Sequence, residues 1–190
     1  MSLATLANAK AFKNITGTAH DAELARLILA VDQFAIEYCN RMLEQATVTE
    51  YHSARQGQTV LILRQPPVAS ITTIHDDVDR VYGADKLIAA ANYVLEEGPA
   101  GIVRFDKTSL QKGINNLKVV YLGGFAAGSA QLKLLEQAAI ELVWLARDKG
   151  DKALLGLQSK SIADGSVTTF EQDWPAGVKA ILDAYRLTRV

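Results

Sequence analysis

From Leu117 the chain reads LKVVYLGGFAAG and runs directly into SAQLKLLEQAAIELVWLARDKG, so a β-branched strand, a glycine corner and a long helix follow one another without a linker. Leu132, Leu135, Ala139, Leu142 and Ala146 are spaced three and four apart and fall on one apolar stripe. Such a helix must pack on something, and the strand before it must pair. The stretch therefore restricts the chain to an α+β class in which helices and a sheet share one short corner.

Upstream, the order is helix and then sheet. Residues 4–15 form a short helical pattern around Leu6, Ala9 and Phe12, closed by Gly17. Thr18 and Asp21 then suit the start of a longer helix, a variant of the capping box. Leu24, Leu27, Ile28, Val31, Phe34 or Ala35, Tyr38 and Met42 mark its main face down to about Leu43. Leu29, Ile36 and Leu43, seven apart, mark a second. An apolar row left over once the core is satisfied tends to meet another chain, so Leu29, Ile36 and Leu43 are the candidate subunit interface, the alternative being that the first helix and the sheet cover both faces.

From Thr47 the period shortens. VTEYH, TVLIL, VASITTI, NYVLEE, GIVRF and LKVVYLG are rich in β-branched and aromatic residues and are separated by glycine and proline turns. They read as one small, mostly antiparallel sheet. Residues 82–91 fit either a short helix or an irregular crossing. After the long helix near 129–149, residues 150–173 are polar and carry Gly156 and Gly165, long for a connection inside a compact domain. This is the candidate partner-docking loop, with Leu157, Ser159, Lys160, Ser161, Asp164 and Gly165, and with Trp174 beside it as an amphipathic anchor. Asp173 and Pro175 suit the start of a last helix with Val178, Ile181, Leu182 and Tyr185 on its apolar face. The expected organisation is a single domain, 1–190. It has a mainly helical core of two N-terminal helices, the long helix and a C-terminal helix, with an inserted small antiparallel β-region at 47–125.

Candidate chemistry is sparse. Twenty Lys and Arg against 21 Asp and Glu give a net charge of −1, which neither recruits nor repels nucleic acid as a whole. Cys39 is alone, so no internal disulfide forms; inside an apolar helix it reads as a small hydrophobe. The N-terminus lacks a basic region followed by an apolar run, and no segment approaches the roughly 20 apolar residues of a membrane span, so neither export nor insertion is expected. His75, Asp76, Asp77 and Asp79 gather metal-ligand types, but without a second cluster they read as a polar turn. His20 and His52 form no i, i+4 pair. Glu96 and Glu97 point to opposite faces of a strand. The serines near Lys160 sit in neither a G-x-S-x-G nor an S-x-x-K motif, and Gly123, Gly124 and Gly128 make no phosphate loop. No catalytic residue, metal site or cofactor is expected.

The succession of LATLANAKAFKNITGTAHDAELARLILAVDQFAIEYCNRML, LILRQPPVASITTI, ANYVLEEGPAGIVRF, LKVVYLGGF, the long helix, QSKSIADGSVTTF and a terminal YRLTRV resembles the head-tail connector (adaptor) family of tailed bacteriophages along nearly the whole chain. Relatives often carry a proline before the long helix where this chain has Gly128-Ser129, a mild departure because serine is a good N-cap. The resemblance implies a structural neck protein without enzyme activity. Its copies form a ring, twelve-fold by resemblance and monomeric before assembly, beneath the portal protein of the DNA-filled head. There they receive the tail or a stopper or tail-completion protein. It implies residence in the virion neck and, during assembly, in the host cytoplasm, with DNA only passing through the ring and no membrane partner. The alternatives are another phage head- or tail-completion protein and a non-viral protein-interaction module.

Overall fold

The structure, a computed structural model, describes residues 2–151 and 174–187. Its described residues form an α+β chain of two compact units of similar weight, one made of residues 1–41 and 128–190 and the other of residues 42–127. The expected mainly helical core is therefore too strong a description. The β-region carries a hydrophobic core of its own, built on Leu61, Leu63, Ile74, Val103, Phe105, Leu117, Val119 and Tyr121.

In the first unit, α1 spans Leu6–Phe12 and α2 spans Asp21–Cys39. The long α3 spans Ala130–Asp151, and α4 spans Ala176–Ala184. The Thr5 side chain accepts from the Asn8 amide at 3.1 Å and caps α1. The start of α2 differs from expectation: Thr18 offers only its carbonyl, to the Asp21 amide, and His20 occupies the cap position without its side chain bonding a helix amide. Asp21 instead faces Lys10 Nζ at 2.6 Å, which ties the first turn of α2 to α1. At its far end α2 stops at Cys39 because Asn40 turns left-handed, with φ at 52°. At α3, the Ser129 hydroxyl accepts from the Leu132 amide at 3.3 Å, as the serine cap requires. Pro175, expected in the first turn of α4, stands one position earlier, at the cap.

The α3 stripe is buried at Leu135, Ala139 and Leu142, and Trp144 joins it with its indole N–H donating to the Ala9 carbonyl at 2.9 Å. Leu24, Ile28, Val31, Ala35 and Cys39 form the buried face of α2, and Val178 and Leu182 that of α4. The Leu187 amide donates to the Cys39 carbonyl at 2.9 Å, so the chain after α4 closes over the end of α2.

The second unit contains two antiparallel sheets where one was expected. β1 (Ala46–Ala54) and β3 (Val68–Asp76) flank β6 (Gly113–Gly123), and β2 (Val60–Ile62) and β4 (Tyr93–Glu97) flank β5 (Ile102–Phe105). Period-2 alternation sends Leu61, Val103 and Phe105 into the core and Ile62 and Arg104 outward. Residues 82–91 resolve as irregular crossing: two short 3₁₀ turns, Ala84–Lys86 and Ala90–Asn92.

Candidate assembly surfaces

The second apolar row of α2 is the first surface. Leu29 is 68% exposed and Ile36 39%, while Leu24, Ile28, Val31 and Ala35 on the opposite side are buried. Ala22, Ala25, Arg26 and Gln33 are exposed on the same side as Leu29 and Ile36, leaving a face of small and apolar side chains edged by Arg26. Leu43 does not belong to it. The left-handed Asn40 ends the helix before Leu43, which lies in the β unit at 1% exposure, so the seven-residue spacing loses its third member.

Trp174 stands edge-on to Phe34, with ring centroids 4.7 Å apart, and to Tyr38 at 5.0 Å. Tyr38 donates to Asp183, and the Arg186 guanidinium lies 5.1 Å from its ring centre. The Asp183 bond, with burial adding to it, raises the Tyr38 pKa. Trp174 is thus half-buried in an aromatic cluster against α2. Leu157, Ser159, Lys160, Ser161, Asp164 and Gly165 of the proposed docking loop lie outside the described residues, as does Asp173.

The acidic stretch after β3 serves the fold. Asp77 accepts from the amides of Asp79 at 3.0 Å, Val81 at 2.8 Å and Tyr82 at 2.7 Å. The Tyr82 amide first, with those of Asp79 and Val81 outweighing desolvation, holds its carboxyl below the usual range. Asp76 accepts from the Gln111 amide at 2.8 Å and from the buried Asn116 side chain at 2.7 Å. Among the described residues no group of three or more His, Cys, Asp or Glu is placed to hold a metal ion.

A buried cluster went unread in the sequence. Glu50 and His52 alternate along β1 onto the inner face, with His52 Nε2 2.7 Å from Glu50 Oε2. Tyr121 of β6 donates to Glu50, and the Arg64 amide reaches both carboxylate oxygens at 3.1 Å. Burial works to raise the Glu50 pKa. The bonds from His52, Tyr121 and Arg64 outweigh it and leave the pKa lowered. Burial, then the Glu50 bond, pushes the Tyr121 phenol up. The E-x-H alternation in VTEYH was the available signal, since residues two apart on a strand share a face. Cys39 is buried beside the Leu182 carbonyl, and that burial pushes its thiol up to about 11.

The second surface is the outer side of the β2–β5–β4 sheet. Ile62 is 64% exposed and Val94 54%, with Val60 and Ile102 half-buried between them. Arg104 crosses this face and grips Glu96 in a fork, at 2.9 Å and 3.0 Å. No helix among the described residues is long and apolar enough to cross a membrane.

These features define an α+β protein whose buried acids organise its own backbone and whose helical and β units each carry an exposed apolar face. The chain belongs to the head completion protein family, whose model matches residues 2–188. The head-tail connector resemblance read from the sequence is thereby confirmed. In fold, the chain is similar to a protein from the neck of an empty gene transfer agent particle computed with C6 symmetry. That likeness has a TM-score of 0.64 at 20% identity and covers 97% of this chain and 90% of the other. A chain from the neck of the native particle computed with C12 symmetry matches at TM-score 0.58 and 18% identity, over 93% and 94% of the two chains. One from the virion of the native particle matches at 0.57 and 21%, over 92% and 81%. No curated protein matches the sequence significantly.

Proposed function

We propose that this chain is a structural protein of a phage or phage-like neck, several copies of which form a ring beneath the portal and join the DNA-filled head to the tail. The observation that carries this reading is the family match over almost the whole chain. Ring formation draws support from the similar chains, which come from necks computed with C6 and C12 symmetry. The chain works by binding alone. Each contact is modest, and repetition round the ring makes the joint durable through multivalency. With a net charge of −1 the ring lets DNA pass without gripping its phosphates. The portal on one side and a stopper or tail-completion protein on the other are its partners, and assembly takes place in the host cytoplasm.

Leu29 and Ile36 supply part of the subunit contact. Ile36→Glu in the purified protein is expected to leave the fold intact, within about 0.5 kcal/mol of the parent, because the side chain is exposed. The variant chain should be missing from finished particles. A variant that unfolds, or one incorporated at the parent level, would remove Ile36 from the interface.

A further inference from the structure

We propose that the two exposed apolar faces are mates: the outer face of α2 in one subunit packs across the outer face of the β2–β5–β4 sheet in the next. The inference rests on the ring reading above and says how the ring closes.

A ring of identical chains requires a heterologous contact, in which two different patches of the same chain meet. Pairing α2 with α2 of a second copy gives a two-fold dimer that ends there. Among the exposed apolar side chains of the described residues, which also include Val81, Ile114 and Leu134, Leu29 and Ile36 share the outer side of α2, and Ile62 and Val94 share the outer side of the β2–β5–β4 sheet. Helix on sheet is a standard layer contact, the same packing that builds the interior of α+β domains. Side-chain sizes fit it. Ala22 and Ala25 let the helix backbone approach closely, and Leu29 and Ile36 project as the larger groups.

On the sheet, Val60, Arg104 and Val94 are register neighbours in one row and Ile62 faces Ile102 in the next, a β-branched floor one helix wide. Charge is also complementary. Arg26 and Glu37 are exposed on α2 eleven positions apart, and the Arg104–Glu96 fork carries one charge of each sign on the sheet. Set across the sheet, the helix brings Arg26 towards Glu96, with Glu37 about 16 Å further along the helix and beyond the fork.

The test places cysteines at Leu29 and Ile62 together in the gene of the phage or prophage that encodes the chain. Purified particles are then oxidised and their proteins separated without reductant. The native Cys39 is buried and forms no disulfide. The expected result is a ladder of covalent multimers of this chain, with Leu29→Cys alone and Ile62→Cys alone giving monomers only. A visible ring without a ladder, or dimers from Leu29→Cys alone, would overturn the pairing while leaving the ring reading in place. Necks holding isolated copies of the chain would overturn both.

Charge exchange gives a second readout. Leu29→Lys and Ile62→Asp should each abolish incorporation, and the two together should restore a substantial part of it because the new charges lie opposite one another. Double-variant incorporation no better than that of either single one would overturn the pairing.

Discussion

Glu50 lies 7% exposed among groups that all donate to it: the His52 ring, the Tyr121 hydroxyl and the Arg64 amide. A buried acceptor with three kinds of donor is costly to lose, because each donor is left without water or partner. Glu50→Gln removes the charge and turns one acceptor into a donor facing donors, so a loss of about 1–3 kcal/mol is expected in urea unfolding at neutral pH. Its pKa is lowered in the fold, so its contribution is fully present above the ordinary glutamate value of about 4.3 and is lost as pH falls through the folded value. The parent should therefore lose stability on that acid limb, and Glu50→Gln should flatten it. An acid limb unchanged by the substitution would show that other carboxylates govern it.

At the scale of elements, the glycine corner connects strand to helix. Gly124 has φ at +100°, and a Cβ placed there would stand 2.4 Å from the Glu44 carbonyl oxygen. The parallel bridge between Glu44 and Phe125 runs past the same point, so the backbone has no room to yield. Gly124→Ala is expected to cost more than about 1 kcal/mol, measured by thermal or urea unfolding, since alanine is strained at positive φ and also meets backbone. Gly128, also at positive φ but with nothing within 4 Å, is the control and should lose less. Equal losses at both would mean that φ strain alone, without the Glu44 contact, sets the cost. Local pattern made these elements legible. β-branched and aromatic composition between glycine and proline turns marked all six strands, and the three-and-four spacing marked α2 and α3. Pairing was not legible, because β1 finds β6 more than sixty residues later in the register Ala46 to Gly123, and nothing local to either strand encodes that choice. Leu43 was misplaced for a related reason: the spacing continued, but Asn40 had already turned the chain left-handed. Leu29 and Ile36 were legible because an apolar residue off the main stripe stands out in any helical projection.

For the whole molecule, family membership over residues 2–188 and two separately built units support a part that fills a place in an assembly. The described titratable clusters are engaged in holding turns and strands, and exposed apolar side chains share the outer side of α2 and the outer side of the β2–β5–β4 sheet. Joining head to tail by binding alone is the central claim, and deletion of the gene from its phage or inducible prophage tests it most directly. Electron microscopy of the induced lysate should show heads and tails both made but unjoined, with packaged DNA poorly retained, and supplying the intact chain should restore tailed particles. Normal yields of tailed, infectious particles from the deletion would contradict the account.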